Sequence, residues 1–125
     1  LEKYQKEYME KFLFITDYIS NHFSENLTLE AVASLAGFSK YHFARLFKQY
    51  TNSSFYKFLN QKRIEYAKSL LLDPELAVTE VAVQSGFSSL SAFLRMFKQL
   101  NLCTPTEFRS MYDSQFQKTP ASGKK

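Results

Sequence analysis

Hydrophobic residues along this chain recur three and four positions apart, the spacing that places side chains on one face of an α-helix. The first such stretch runs from Tyr8 to about His22. Two later stretches carry one stripe each, formed by Phe43, Leu46, Phe47 and Tyr50 and by Phe93, Met96, Phe97 and Leu100. The pattern predicts an all-α fold of about seven helices.

An internal repeat organises these helices. The segment 43–49 matches 93–99 at Phe, Arg, Phe, Lys and Gln, and a Gly-Phe-Ser precedes each copy, at Gly37 and at Gly86. Further upstream, Val32-Ala33 corresponds to Val81-Ala82. The second copy carries one extra residue, at the turn or at the start of its next helix. The repeat therefore predicts two units of similar structure.

Each repeat has the signals of a helix, a turn and a second helix. In the first, Thr28 is the predicted N-cap, Gly37 ends the helix as a residue able to adopt positive φ, and Ser39 caps the next helix. In the second, a helix starts at Thr79 or the residue before it and ends before Gly86.

Two more helices are predicted around the repeats. Ser53 or Ser54 caps a long helix that ends near Leu72, before Asp73-Pro74. Its roughly 19 residues would span about 30 Å. Thr104 and Glu107 form a capping box around Pro105 for a short last helix.

These elements divide the chain into five segments. We assign 1–7 to an N-terminal extension or interdomain linker, 8–52 and 74–114 to two helix-turn-helix lobes, 53–73 to a linker helix and 115–125 to a flexible tail. The chain begins with Leu rather than Met, so we expect a fragment of a longer protein. An effector-sensing domain is expected to be missing from it.

The composition is that of a globular domain with a substantial core. There are 13 Phe and 8 Tyr, and only 3 Gly and 3 Pro, which favours helices over a many-turned β fold. Cys103 is the single cysteine and fits a reducing cytoplasm without a disulfide or a cysteine-based metal site. No segment predicts a signal peptide or a membrane span.

The charge distribution is more informative than the formal net charge of +4. No acid occurs in 31–64 or in 81–106, and each window contains Lys and Arg. Such a positive field suits a polyanion, although a solvated basic face would give the same pattern.

The faces opposite the two buried stripes suggest double-stranded DNA as that polyanion. Helix-turn-helix proteins lay the second helix of the pair in the major groove. The candidate DNA-binding residues are Ser39, Lys40, Tyr41, Ala44, Arg45 and Lys48 in the first repeat, and Ser88, Ser89, Leu90, Ser91, Ala92, Arg95 and Lys98 in the second. The mixture of basic and small residues permits close approach to DNA.

Several of these residues have alternative interpretations. Arg45 and Arg95 occupy equivalent positions and would pair with guanine, contact phosphate, or pack over Phe or Tyr. Lys48 and Lys98 lie a turn further along, which favours phosphate. Leu90 would touch a thymine methyl or be an isolated exposed apolar residue. His42 borders the stripe and is assigned to packing or capping.

The residues also match a known family. The segments 80–98 and 104–109, together with 63–71 as a linker helix, resemble the AraC/XylS-type transcription regulators, and the resemblance covers roughly residues 10–112. It implies seven helices in two helix-turn-helix lobes that activate transcription. By position, the resemblance also implies which residues enter the major groove: Lys40, Tyr41, Ala44 and Arg45 in the first lobe, and Ser89, Leu90, Ser91, Ala92 and Arg95 in the second.

Two departures from the family affect the second lobe. Asn101 stands where the family has Gly before Thr-Pro, and because Asn tolerates positive φ we expect the turn to survive. The second reading face is short of hydrogen-bonding side chains, so it would hold mostly phosphate.

The function predicted from the sequence is sequence-specific double-stranded DNA binding in transcription regulation. Because the long helix is nearly as long as one DNA turn, about 34 Å, two recognition helices would occupy adjacent major-groove segments. RNA polymerase is the expected partner, the bacterial cytoplasm and its nucleoid the expected location, and no cofactor is expected. A helical protein-interaction module is the main alternative. RNA binding and enzymatic activity are less favoured, since exposed aromatic platforms and a nucleophile–base pair are lacking.

Overall fold

The computed structural model describes residues 2–117, and within that range the chain folds into seven α-helices without strands. The helices are α1 (Glu2–His22), α2 (Leu29–Ala36), α3 (Lys40–Thr51), α4 (Phe55–Leu71), α5 (Val78–Gln84), α6 (Leu90–Asn101) and α7 (Pro105–Tyr112), followed by a π-helical turn at Asp113–Gln117. The all-α fold is therefore confirmed. None of these helices combines the length and the apolar character needed to cross a membrane.

The chain divides into two compact lobes between Lys62 and Arg63, inside α4. The core of the first lobe is formed by Phe12, Ile15, Ile19, Leu27, Val32, Ala33, Ala36, Phe43, Leu46, Phe47, Phe55 and Leu59. The core of the second is formed by Ile64, Ala67, Leu71, Val81, Ala82, Phe93 and Phe97. Each lobe thus buries its own aromatic stripe, as the hydrophobic pattern predicts.

The long helix α4 belongs to both lobes, and this extends the internal repeat. Its first half closes the first lobe as α7 closes the second: Ser54 and Thr104 are their N-caps, and Phe55 and Pro105 are buried. Its second half begins the second lobe as α1 begins the first. The buried residues have the same spacing, with Phe12, Ile15 and Ile19 in α1 and Ile64, Ala67 and Leu71 in α4. Each repeat is therefore a four-helix unit.

Two helix boundaries differ from the sequence-based expectation. α1 begins at Glu2 rather than Tyr8, because 2–7 consists mainly of Glu, Lys and Gln, which favour helix without an apolar stripe. α4 has 17 residues, about 25 Å, rather than the expected 19. The π-helical turn includes the first residues of the predicted tail, and 118–125 lie outside the described residues.

The turn after α6 differs from the one that the family comparison suggests. Asn101 is the last residue of α6, and its side chain donates to the carbonyl of Phe97 over 3.3 Å. The left-handed residue is Leu102, with φ 62°, and its side chain is 86% exposed. The corresponding residue after α3 is Asn52, with φ 60°. A Leu in this conformation is strained, because its Cβ approaches the following carbonyl.

Leu102→Gly is therefore expected to stabilise the second lobe by about 0.5–1 kcal/mol. Glycine removes the left-handed strain, part of which is offset by the greater freedom of the unfolded chain. Urea denaturation followed by circular dichroism measures the difference. Asn52→Gly is the control and should gain less, because Asn tolerates positive φ. An unchanged or lower stability of Leu102→Gly would contradict the strain argument.

Candidate nucleic-acid interface

The turn between α2 and α3 is fixed by backbone hydrogen bonds and by a side-chain cap. Gly37 adopts φ 82°, and the amides of Gly37 and Phe38 donate to the carbonyls of Ser34 and Ala33 over 3.0 and 2.9 Å. Ser39 then accepts from the amide of His42 over 3.2 Å and starts α3. The predicted roles of Gly37 and Ser39 are confirmed.

The second turn has the same construction with one more residue. Gly86 adopts φ 97°, and the amide of Phe87 donates to the carbonyl of Ala82 over 3.1 Å. The N-cap is Ser89, which accepts from the amide of Ala92 over 3.1 Å. Ser88 is therefore the extra residue, and it lies in the turn rather than in the helix.

A basic side chain from the preceding helix supports each turn. In the first lobe, Lys11 of α1 donates to the carbonyl of Ala36 over 2.9 Å and lies 4.8 Å from the ring centre of Phe38. In the second lobe, Arg63 of α4 lies 5.7 Å from the ring of Phe87. The sequence alone assigned no such role to Lys11 or Arg63, because their partners lie far along the chain, in or just after another helix.

The predicted DNA-binding residues of the first lobe lie on one surface of α3 and its cap. Ser39, Lys40, Tyr41, Arg45 and Lys48 are exposed, and Ala44 is half-buried among them. Phe43 and Phe47 are fully buried on the opposite face. His42 lies at the border, where its ring packs edge-on against Phe38 at 5.0 Å, so the packing role assigned to it is confirmed.

The second lobe presents an equivalent surface on α6 and the turn before it. Ser88, Ser89, Leu90, Ser91, Arg95 and Lys98 are exposed, and Ala92 is half-buried. Phe93 and Phe97 are buried opposite, with ring centres 5.8 Å apart. The surface is less polar than its counterpart, since Leu90 replaces Lys40.

Both guanidinium groups of these surfaces are available to a ligand. Arg45 and Arg95 are exposed, and across residues 2–117 neither forms an ion pair or lies over an aromatic ring. Packing over Phe or Tyr, one of the three alternatives for these arginines, is therefore not observed. The remaining alternatives are contacts to bases or to phosphates.

One residue of the first surface already has a partner. Lys40 lies 3.1 Å from the carboxylate of Glu30 in α2, and its ammonium is 5.5 Å from the ring centre of Tyr41. The pKa of Glu30 is lowered, first by a hydrogen bond from its own backbone amide and then by Lys40. The pKa of Lys40 is raised, mainly by the hydrogen bond with Glu30. Both groups are therefore charged in neutral solution.

The fold and this geometry define a domain with two helix-turn-helix units, and the comparisons identify its family. A model described as a helix-turn-helix domain matches residues 32–111. The chain belongs to the AraC-type helix-turn-helix family.

Relatives and solved structures agree with this family. A helix-turn-helix-type transcriptional regulator of Staphylococcus aureus (strain COL) is 38% identical over 95 residues, which are 76% of this chain and 13% of that protein. The C-terminal domain of AraT, a response regulator from Geobacillus stearothermophilus, is 33% identical with a TM-score of 0.77, covering 81% of this chain and 84% of that one. The chain thus spans only a small part of the Staphylococcus relative.

A third similarity comes from a complex with DNA. The DNA-binding domain of AdpA, a global transcriptional factor, was solved with a target DNA. It is 26% identical to this chain with a TM-score of 0.80, covering 85% of this chain and 96% of that domain.

Proposed function

We propose that this domain binds double-stranded DNA sequence-specifically in transcription regulation, with α3 and α6 as recognition helices in adjacent major-groove segments. One observation carries the proposal: each helix fully buries two phenylalanine rings and presents an exposed face whose arginine has no ion-pair partner within residues 2–117. No acid interrupts either face. The similarity to a domain solved with its target DNA supports it.

The exposed faces of α3 and α6 share the same arrangement of arginine and lysine, but they differ in how many side chains could read bases. Arg45 and Arg95 would each donate two hydrogen bonds to guanine, and the half-buried Ala44 and Ala92 leave room for a base edge. Lys48 and Lys98, one turn further along, would contact phosphate. Leu90 would contact a thymine methyl. Because serines surround Leu90, we propose that the second lobe binds mainly phosphate and reads few bases.

The wider role follows from the family. We propose that the complete protein activates transcription beside RNA polymerase, at the nucleoid in the bacterial cytoplasm. An effector-sensing domain would lie in another part of its chain. These assignments are supported by membership of the AraC-type family and by similarity to the transcriptional regulator and the response regulator named above.

Selection from a randomised duplex pool tests the function. Enrichment of a site with two base clusters about one helical turn apart, the one beneath the second lobe weaker, with an affinity that falls steeply with salt, is the expected outcome. A single cluster would restrict base reading to one lobe. No enrichment and no salt-sensitive binding would contradict DNA binding and favour the helical protein-interaction module.

Arg45→Ala is expected to reduce affinity for the selected site by about 1–3 kcal/mol and to relax the preference at one base pair. The reason is the loss of a bidentate contact that only guanine offers. Fluorescence anisotropy on the selected site and on single-base variants measures both effects. Lys48→Ala is the control and should weaken binding to selected and random duplexes alike. An equal loss on both duplexes for Arg45→Ala would assign Arg45 to phosphate.

A further inference from the structure

The ion pair between Glu30 and Lys40 places a carboxylate beside the proposed DNA surface. Glu30 lies in the first turn of α2, and Lys40 is the first residue of α3. Both side chains remain partly exposed, at 60% and 43%. In sequence, Glu30 is the last acid before the acid-free stretch 31–64 that contains the whole of α3. It is thus the acid placed to neutralise a charge on this helix.

We propose that Glu30 is a positioning residue that withholds Lys40 from DNA phosphate and so lowers the affinity for DNA of any sequence. This inference rests on the proposed function. While Lys40 is paired with Glu30, it does not neutralise a phosphate. The first lobe then neutralises one phosphate fewer than it has exposed cations. Binding then depends more on Arg45, whose guanidinium has no such partner within the described residues.

Electrostatics explains why the pair would persist on DNA. If Lys40 moved to a phosphate, the carboxylate of Glu30 would be left without its cation beside a polyanion. The move would gain the attraction between Lys40 and a phosphate. It would lose the attraction between Lys40 and Glu30, and it would leave the Glu30 carboxylate repelled by the phosphates. In addition, Tyr41 offers the ammonium the face of its ring at 5.5 Å, which holds Lys40 near Glu30.

The second lobe provides an internal comparison. By the alignment of the two repeats, Thr79 corresponds to Glu30 and Leu90 to Lys40. Both members of the pair are therefore replaced together by uncharged residues. Where the lysine is absent the acid is absent as well, as expected if the acid serves to balance the lysine.

The test measures how DNA affinity depends on salt. Glu30→Gln is expected to steepen the plot of log K against log salt on a random-sequence duplex by about 0.9, the value for one additional phosphate contact. At about 0.1 M salt this corresponds to a roughly eight-fold gain in affinity. Anisotropy titrations over a salt series give both values, and circular dichroism shows whether the variant is folded.

The matched control is Glu80→Gln in α5. Glu80 is also an acid in the first turn of the first helix of a helix-turn-helix, but its hydrogen-bond partner is Gln84, over 2.9 Å, instead of a lysine. The change in net charge is the same, so the difference between the two variants isolates the release of Lys40. In the Glu30→Gln background, the additional change Lys40→Gln should reverse the gain, because it removes the ammonium that Glu30→Gln sets free.

Two results would overturn the proposal. One is a Glu30→Gln slope no steeper than that of Glu80→Gln. The other is a slope reduced by about 0.9 in Lys40→Gln alone, which would mean that Lys40 already contacts phosphate in the wild type. Either result would leave the salt-dependent DNA binding of the wild type intact. Failure of the proposed function would appear instead as a lack of such binding.

Discussion

Replacing Phe47 by Ala is expected to cost about 3–5 kcal/mol of unfolding free energy and to unfold the first lobe. Phe47 is fully buried, and its ring centre lies 5.5–6.1 Å from those of Phe12, Phe43, Phe55 and Phe58. These rings come from α1, α3 and α4. The truncation would open a cavity where those helices meet, and rigid aromatic side chains collapse poorly into such a space.

Hydrogen exchange resolves the effect by lobe. Amides of α1–α3 should lose protection in Phe47→Ala, and the equivalent Phe97→Ala should do the same in α5 and α6. Phe14→Ala is the control, because Phe14 is 58% exposed on α1 and its removal should change stability by less than about 0.5 kcal/mol. Unchanged thermal stability of Phe47→Ala would contradict the core assignment.

The second large effect is expected for Arg109→Ala, at about 2–4 kcal/mol. Arg109 of α7 donates from Nε to the carbonyl of Leu71 over 2.9 Å, and from Nη2 to the carbonyls of Asp73 and Leu76 over 3.1 and 2.7 Å. It thus serves the end of α4 and the loop that leads to α5. Hydrogen bonds from a charged donor contribute about 1.5–3 kcal/mol each, and three that share one side chain add less than their sum.

A lysine at position 109 tests whether the stability comes from the shape of the guanidinium group or only from its positive charge. Arg109→Lys retains the charge but not the planar fork, and one ammonium cannot reproduce contacts that diverge from Nε and Nη2. It should therefore recover less than half of the lost stability in urea denaturation. Full recovery by Lys, or a loss below about 1 kcal/mol in Arg109→Ala, would contradict the assignment. Arg109 occupies the position that buried Leu59 holds in the first half of α4, so its function differs from that of its counterpart.

The sequence predicted the elements of this fold because their causes are local. The spacing of Phe43 and Phe47 defines a buried helical face, Gly37 supplies a positive φ, and Thr104 with Glu107 completes a capping box. Each signal depends on residues within about one helical turn of one another. The same locality made the candidate DNA-binding residues predictable, since the exposed face of α3 is the complement of its buried face. Their contacts with DNA remain predictions.

The expectation from the sequence was incomplete at two places where no apolar pattern marks the local structure: the start of α1 and the turn after α6. The helix before Tyr8 has no buried stripe to mark it, and its residues form helix by intrinsic preference. The left-handed position after α6 was expected at Asn101, because Asn tolerates positive φ better than most residues. The helix instead continues through Asn101, and Leu102 adopts the strained conformation.

The sequence alone determined the class of fold, the repeat, the buried stripes and the exposed basic faces, because each follows from spacing along a helix. The tertiary structure decided which residues from different helices meet. Lys11 supports the turn between α2 and α3, Glu30 neutralises Lys40, and Arg109 binds carbonyls more than thirty residues away in the chain. These pairs depend on how helices pack in three dimensions, and no periodicity of a single helix encodes that arrangement.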